Sequence, residues 1–265
     1  MRILIIGAGN MGKTYAKSLL SSYFTQPKEL YILDKNPIID SALLEIPEEQ
    51  ILKNPNGKIS EADIIILAVK PQDFEELSLS IKEYIHPNQI ILSIMAGIKI
   101  SALANLNTNK IVRSMPNLPA QISMGMTVFT CTSDLDKKEL FIIQNLLNTT
   151  GKSVYVDNET MIDAATAISG SGPAYVYYFM EAMINTAIDM GFSRAEAELM
   201  VSQTFMGAVH LHNQNKLTCS EWISKVASKG GTTEAALQAF SQKNLQQSIE
   251  AGLENALNRA RELGK

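Results

Sequence analysis

Short runs of β-branched and aliphatic residues recur through the first half of the chain, separated by amphipathic stretches and turns. Arg2–Ile6, Glu29–Leu33, Asp63–Val69, Gln89–Met95, Ile111–Met115, Met126–Thr130 and Ser153–Val156 each have the length and residue types of a strand. Ile64 to Val69 is apolar at every position, the pattern of a strand buried on both faces of a parallel sheet. Between the strands, Met11–Ser22, Asp73–Tyr84 and Leu135–Asn148 carry the period of amphipathic helices. Strand and helix in alternation predict a doubly wound α/β domain.

Beyond Asp157 the strands stop and helical patterns take over, which divides the chain into residues 1–157 and an all-helical 158–265. Pro173 suits the first turn of a helix that runs to about Met190, with Gly191 placed to end it. Tyr175, Val176, Phe179, Met180, Met183, Ile184, Ala187 and Ile188 cover most of its circumference. Such a helix must be buried, inside a bundle or at a subunit interface. A helical domain this small has few layers in which to hide it, which favours the interface. Ser193 with Glu196 and Thr218 with Glu221 are spaced as capping boxes, and a last helix spans about Leu245 to Leu263.

Composition narrows the function. The 265 residues are 46% hydrophobic and 19% charged, and 23 basic against 27 acidic residues give a net charge of −4. That is enough chain for a large core, and it has none of the basic excess of a nucleic-acid binder. Apolar runs fall well short of the ~18 residues of a membrane span, so no membrane partner is expected. The apolar start breaks at Gly7, too soon for the ~7-residue core of a signal peptide. Cys131 and Cys219 are distant and form no C-x-x-C, so neither a disulfide framework nor a metal site is expected. The expected location is cytoplasmic.

Candidate chemistry begins at the first strand, which runs straight into Gly7-Ala8-Gly9-Asn10-Met11-Gly12 with a helix after it. G-x-G-x-x-G in that setting is a dinucleotide fingerprint and predicts a Rossmann-like domain. Gly7 permits the tight turn, Gly9 the close approach of a pyrophosphate, and Gly12 close helix–strand packing. Asp34 ends the second strand, 22 residues after Gly12. An acidic residue there bonds the ribose 2′-OH of NADH, whereas the adjacent Lys35 suits the 2′-phosphate of NADPH. Either cofactor remains open, as does a plain turn over Asp34-Lys35-Asn36-Pro37. Ala68-Val69-Lys70-Pro71 and Ala96-Gly97 close the third and fourth strands, where the ligand of an open α/β sheet lies. Lys70 is either a cation for phosphate or substrate, or a solvated loop lysine.

Two segments of the helical half are rich in small residues: Ser169 to Tyr175, and Ala227 to Glu234. Both read as loops that expose N–H and hydroxyl donors before a helix, a fit for a small carboxylate. His210 and His212 point to different faces of one helix and make poor joint metal ligands. With no nucleophile, paired acids or metal set, the chemistry belongs to a cofactor, and that chemistry is hydride transfer.

Five motifs in order are similar to the pyrroline-5-carboxylate reductase family. They are Ile6-Gly7-Ala8-Gly9-Asn10-Met11-Gly12, Ala68-Val69-Lys70-Pro71, Arg113 to Ala120, Ile168 to Val176 and Gly230-Gly231-Thr232-Thr233. The resemblance covers essentially the whole chain. It implies hydride transfer from NADPH or NADH to the C=N carbon of 1-pyrroline-5-carboxylate, giving L-proline in the last step of proline synthesis. It also implies a homodimer built through the helical domains, often assembled into a decamer. Carried over by position, Ser228, Gly230, Gly231, Thr232 and Thr233 hold the substrate carboxylate, with Ser171 beside them. Ser228 and Thr233 are the catalytic candidates, and Thr233 faces the imine. Gly7 to Gly12, Asp34, Lys35, Ala68 to Pro71, Ala96 and Gly97 line the cofactor.

The chain departs from the family near the substrate loop. Lys229 stands where the family usually has proline, Leu217-Thr218 replaces a His-Pro pair, and Ser224-Lys225 replaces an acidic or amide pair. Loss of the proline loosens the loop, and a lysine adds positive charge beside it. Alternatives are therefore another cyclic imine as substrate, or a non-catalytic nucleotide-binding homologue. A β-hydroxyacid dehydrogenase is disfavoured, because Gly172 to Val176 lacks the lysine that such enzymes carry there.

Overall fold

The computed structural model describes residues 1–36 and 46–264. Its sheet has eight strands: β1 (Ile3–Ile6), β2 (Leu30–Leu33), β3 (Ile51–Leu52), β4 (Ile64–Leu67), β5 (Ile90–Ser93), β6 (Ile111–Met115), β7 (Gly125–Cys131) and β8 (Gly151–Tyr155). Their order is β3-β2-β1-β4-β5-β6-β7-β8, and every neighbouring pair is parallel except β6 with β7. Ile5 of β1 pairs with Ile32 on one side and Ile66 on the other. The chain thus fills the sheet outward in both directions from β1 and β4, the arrangement of a doubly wound fold.

Alternate side chains build two cores. Ile3, Ile5, Ile32, Ile66 and Leu92 face α1 (Asn10–Ser21) and α4 (Lys137–Asn148), meeting Tyr15, Leu19, Ile143 and Leu147. Leu4, Ile6, Leu33, Ile65, Leu67 and Ile91 face α2 (Phe74–Ile81) and α3 (Ile100–Leu103), meeting Phe74, Ile81 and Leu103. Period-two burial on both faces explains why these strands read as unbroken apolar runs.

Three elements differ from expectation. β3 was not expected, because two residues carry no periodicity, and α3 is a single turn. β8 begins at Gly151 rather than Ser153. Gly151 has φ +146°, and a Cβ there would lie 2.1 Å from the Gly125 carbonyl oxygen, so only glycine passes. Pro37, the end of the predicted turn, lies outside the described residues.

The run Ser169 to Tyr175 is not a loop. α5 (Thr160–Ala165) continues through a π-helical turn (Thr166–Gly170), and α6 (Gly172–Asp189) follows at once. The Ser171 N–H donates to Thr166 O at 2.9 Å, and Ser169 Oγ donates to Ala165 O at 3.0 Å. The hydroxyls expected to be presented as free donors are thus partly spent on the turn itself. Arg113 in β6 holds the start of this helical path, and Asn117 just beyond β6 holds its π-helical turn. Arg113 is 1% exposed; its two terminal nitrogens meet Glu159 Oε1 at 3.0 Å and Asp163 Oδ1 at 2.7 Å. Asn117 Nδ2 donates to Ser169 O at 3.0 Å, while its Oδ1 accepts from the Met126 N–H at 2.8 Å.

The chain separates into two compact units, Met1–Pro173 with Ala256–Lys265, and Ala174–Asn255. The second is wholly helical: most of α6, then α7 (Arg194–Asn213), α8 (Cys219–Val226), α9 (Thr232–Gln242) and the first part of α10 (Leu245–Leu263). Both expected capping boxes are present, at the starts of α7 and α8. Gly191, at φ +107°, ends α6. Ile184, Ala197 and Val201 form its small core. Among the described residues of α6 only Ile184 is buried, while Val176, Tyr177, Tyr178 and Met183 are exposed. The single chain does not cover the helix that its sequence marks as buried. Apolar exposure on that scale marks an association surface.

Removing Arg113 strands the buried Asp163 carboxylate, whereas Glu159 is partly open to water. Arg113→Ala is expected to lower unfolding free energy in urea by about 3–5 kcal/mol. Arg259→Ala, which breaks an exposed pair with Glu262, is expected to cost under about 1 kcal/mol. Similar values for the two would show that the Arg113 cluster does not hold the fold.

Candidate cofactor and substrate sites

The glycine cluster sits at the carboxyl end of β1, at the point where strand order reverses. Gly7 has φ +102°, and its N–H donates to Leu33 O at 2.8 Å. A Cβ on Gly7 would stand 2.7 Å from the Ala68 carbonyl oxygen, and one on Gly12 only 1.9 Å from the Gly7 oxygen. These two glycines let three backbone segments cross. Gly9 is different: it caps α1, and a Cβ there would meet nothing within 4 Å. No side chain caps that helix, and its first internal bond comes from the Lys13 N–H to Gly9 O. The N–H groups of Asn10, Met11 and Gly12 therefore precede the helical ladder. Open space before uncapped N–H groups is what a pyrophosphate requires.

Asp34, just beyond β2, meets the same loop. Its Oδ2 accepts from the Ala8 N–H at 2.6 Å and its Oδ1 from the Asn36 N–H at 2.8 Å. The bond to Asn36 agrees with Asp34 opening a turn, and the bond to Ala8, which neither reading anticipated, ties it to the glycine loop. Lys35 Nζ meets Glu76 Oε1 at 2.6 Å, each side chain about three-quarters exposed. That hydrogen bond and the opposite charge raise the Lys35 pKa and lower that of Glu76.

Ala68 to Pro71 leaves β4 directly beside Gly7, with the Ala68 N–H donating to Ile6 O at 2.8 Å. Lys70 is exposed at the start of a 3-10 turn over Pro71–Asp73. Ala96 and Gly97 follow β5. Gly97, at φ +77°, has a second reason to be glycine: a Cβ would lie 2.8 Å from the Leu263 carbonyl oxygen. No sequence motif announces that contact, because the C-terminal helix is remote in the chain.

In the second unit, Ser228 to Gly231 forms a turn closed by the Gly231 N–H donating to Ser228 O at 3.0 Å. Gly230 has φ +74°, and its N–H donates to Glu234 Oε2 at 2.6 Å. Gly231 caps α9 without a side-chain bond, and Thr232 and Thr233 form that helix's first turn. Thr233 is half-buried, whereas Ser228, Lys229 and Thr232 are exposed. Ser171 lies in the first unit, just past the π-helical turn. Sequence reasoning missed Asn117 and Arg113 as individuals, although a charged residue inside an apolar strand is itself a signal.

Comparison with known proteins matches two family models. Residues 2–97 match one described as NADP oxidoreductase coenzyme F420-dependent, and residues 159–263 match pyrroline-5-carboxylate reductase dimerisation. Pyrroline-5-carboxylate reductase 2 of Bacillus subtilis is 33% identical over 99% of this chain and 95% of its own. The chain belongs to the pyrroline-5-carboxylate reductase family. The Haemophilus influenzae pyrroline-5-carboxylate reductase is 32% identical over 98% of this chain and 97% of its own. Among solved structures, the Plasmodium falciparum pyrroline carboxylate reductase with NADP bound has a TM-score of 0.88 at 25% identity. It covers 100% of this chain and 98% of its own. The Coxiella burnetii pyrroline-5-carboxylate reductase has a TM-score of 0.87 at 27% identity, with the same coverage of both chains.

The matched dimerisation region contains the exposed apolar residues of α6 and α7, in keeping with homo-oligomerisation. Among the described residues no helix is long and apolar enough to cross a membrane, and no His, Cys, Asp and Glu group could hold a metal.

Gly9→Ala separates folding from nucleotide binding. At φ −70° alanine fits the backbone, and its methyl enters open space. Stability is expected to stay within about 0.5 kcal/mol of the parent, the usual range for a surface change. Calorimetric affinity for NADPH and NADH is expected to fall at least about tenfold. Undiminished affinity would show that no phosphate lies over Gly9.

Proposed function

We propose that this chain reduces 1-pyrroline-5-carboxylate to L-proline with NADPH or NADH, the last step of proline biosynthesis. It acts in the cytoplasm as a homodimer through its helical domain, assembled further into a decamer. What carries the reading is the open cradle over Gly9 in a chain whose relatives, over nearly full length, are pyrroline-5-carboxylate reductases.

The residues present fit the cofactor. Gly7 to Gly12 would hold its pyrophosphate, Asp34 and Lys35 would meet its ribose, and Ala68 to Pro71 with Ala96 and Gly97 would flank it. When bound, the dihydronicotinamide supplies a hydride to the C=N carbon. Ser228, Gly230, Gly231, Thr232 and Thr233, with Ser171, would bind and orient the substrate through its carboxylate. Among the described residues no hydrogen bond engages the Ser228, Thr232 or Thr233 hydroxyls, so they are available to a ligand. The imine nitrogen must gain a proton as its carbon gains the hydride, and the Thr233 hydroxyl or a water on it relays that proton. Neutral donors leave the iminium charge undiminished, so orientation dominates the rate.

Thr233→Ala is expected to lower kcat roughly a hundredfold, the scale of a lost proton-transfer group. The dissociation constant for NADPH should change by less than about twofold, since the nucleotide is bound elsewhere. Steady-state kinetics beside calorimetry reads both. An equal fall in turnover and cofactor binding would make Thr233 a structural residue.

A further inference from the structure

We propose that Asp34 makes this chain select NADH over NADPH, a preference that rests on the cofactor reading above. Both Asp34 oxygens are fixed by backbone donors, the Ala8 N–H at 2.6 Å and the Asn36 N–H at 2.8 Å. A carboxylate oxygen has two acceptor directions, so each retains one. The result is an anchored anion against the first glycine turn, at the end of β2. In a doubly wound fold an acidic group there accepts from the adenosine ribose 2′-OH and repels a 2′-phosphate.

Lys35, the residue best placed to offset that repulsion, is engaged elsewhere. Its ammonium is 2.6 Å from Glu76, and Asp73 adds to the negative field around it. Two carboxylates, Glu76 and Asp73, therefore act on this one ammonium. Among the described residues between Lys35 and Lys53 there is no lysine or arginine. A 2′-phosphate needs a dedicated cation, most often an arginine, and here the cation beside Asp34 is Lys35, already paired with Glu76. The 2′-OH of NADH needs only an acceptor, which Asp34 already presents in a fixed direction.

The test is calorimetric titration of the intact protein with NADH and NADPH. NADH is expected to bind about tenfold more tightly, the worth of one charge-assisted hydrogen bond. Asp34→Asn removes the charge at nearly constant shape and is expected to bring the two affinities close together. Glu76→Gln leaves Asp34 intact but frees Lys35, so NADPH affinity should rise severalfold with NADH unmoved. This second variant decides the matter if the first does not fold. Tighter NADPH binding by the parent would overturn the inference and leave the cofactor reading standing. An equal loss of both nucleotides in Asp34→Asn, or no NADPH gain in Glu76→Gln, would overturn it too. If neither nucleotide binds the parent, the inference falls together with the cofactor reading.

Discussion

Everything at the candidate cofactor site depends on backbone passing closer to backbone than any side chain allows. The Gly7 carbonyl stands where a Cβ on Gly12 would be, and Gly7 itself lies against Ala68. That crossing drops α1 onto the sheet directly after β1, beside the strand where the winding reverses. The same approach leaves the first N–H groups of α1 uncapped and turned toward the open side. A parallel sheet makes the crossing possible, because β1 and β4 end at the same level with Ile6 opposite Leu67. Substituting either crowded glycine would therefore disturb both fold and site, whereas Gly9 touches only the space a ligand would fill.

How far the sequence reveals this depends on the range of each interaction. Local pattern is enough for β1, β2, β4 and β5, since all their residues are buried and all but Ser93 at the end of β5 are hydrophobic. Capping boxes at Ser193 and Thr218 are equally local, and both are present. What the sequence conceals comes from contacts between distant residues. Gly97 reads as a cofactor-loop glycine, yet its conformation also admits the Leu263 carbonyl. Ser169 to Tyr175 reads as a loop, yet it belongs to a nearly continuous helical path, held by Asn117 at Ser169 and by Arg113 at Glu159 and Asp163. β3 is too short for any pattern to show. Asp34 was legible only as a pair of alternatives, because the bond from the Ala8 N–H joins residues far apart in sequence.

The long helix after Gly172 shows a different limit. Its apolar circumference demands burial, and the single chain leaves most of it exposed. The sequence therefore encodes an assembly larger than one chain, and the match of residues 159–263 to a dimerisation region is in keeping with homo-oligomerisation. Of the departures from the family, Lys229 sits in the turn before α9, where Gly230 at positive φ and the bond from its N–H to Glu234 already shape the loop. A proline at 229 is thus not required to close this turn; Lys229 stands in it with the Gly231 N–H still bonded to Ser228 O.

The central claim is that a hydride passes from a nicotinamide to the imine carbon of pyrroline-5-carboxylate. It is tested most directly by incubating the purified protein and substrate with NADH or NADPH deuterated at the transferable position of the ring. The proline formed is then examined by mass spectrometry. The account predicts L-proline carrying that deuterium on the former C=N carbon, at a rate that follows nucleotide oxidation. Nucleotide oxidation without labelled proline, or no oxidation while nucleotide binding is intact, would contradict it.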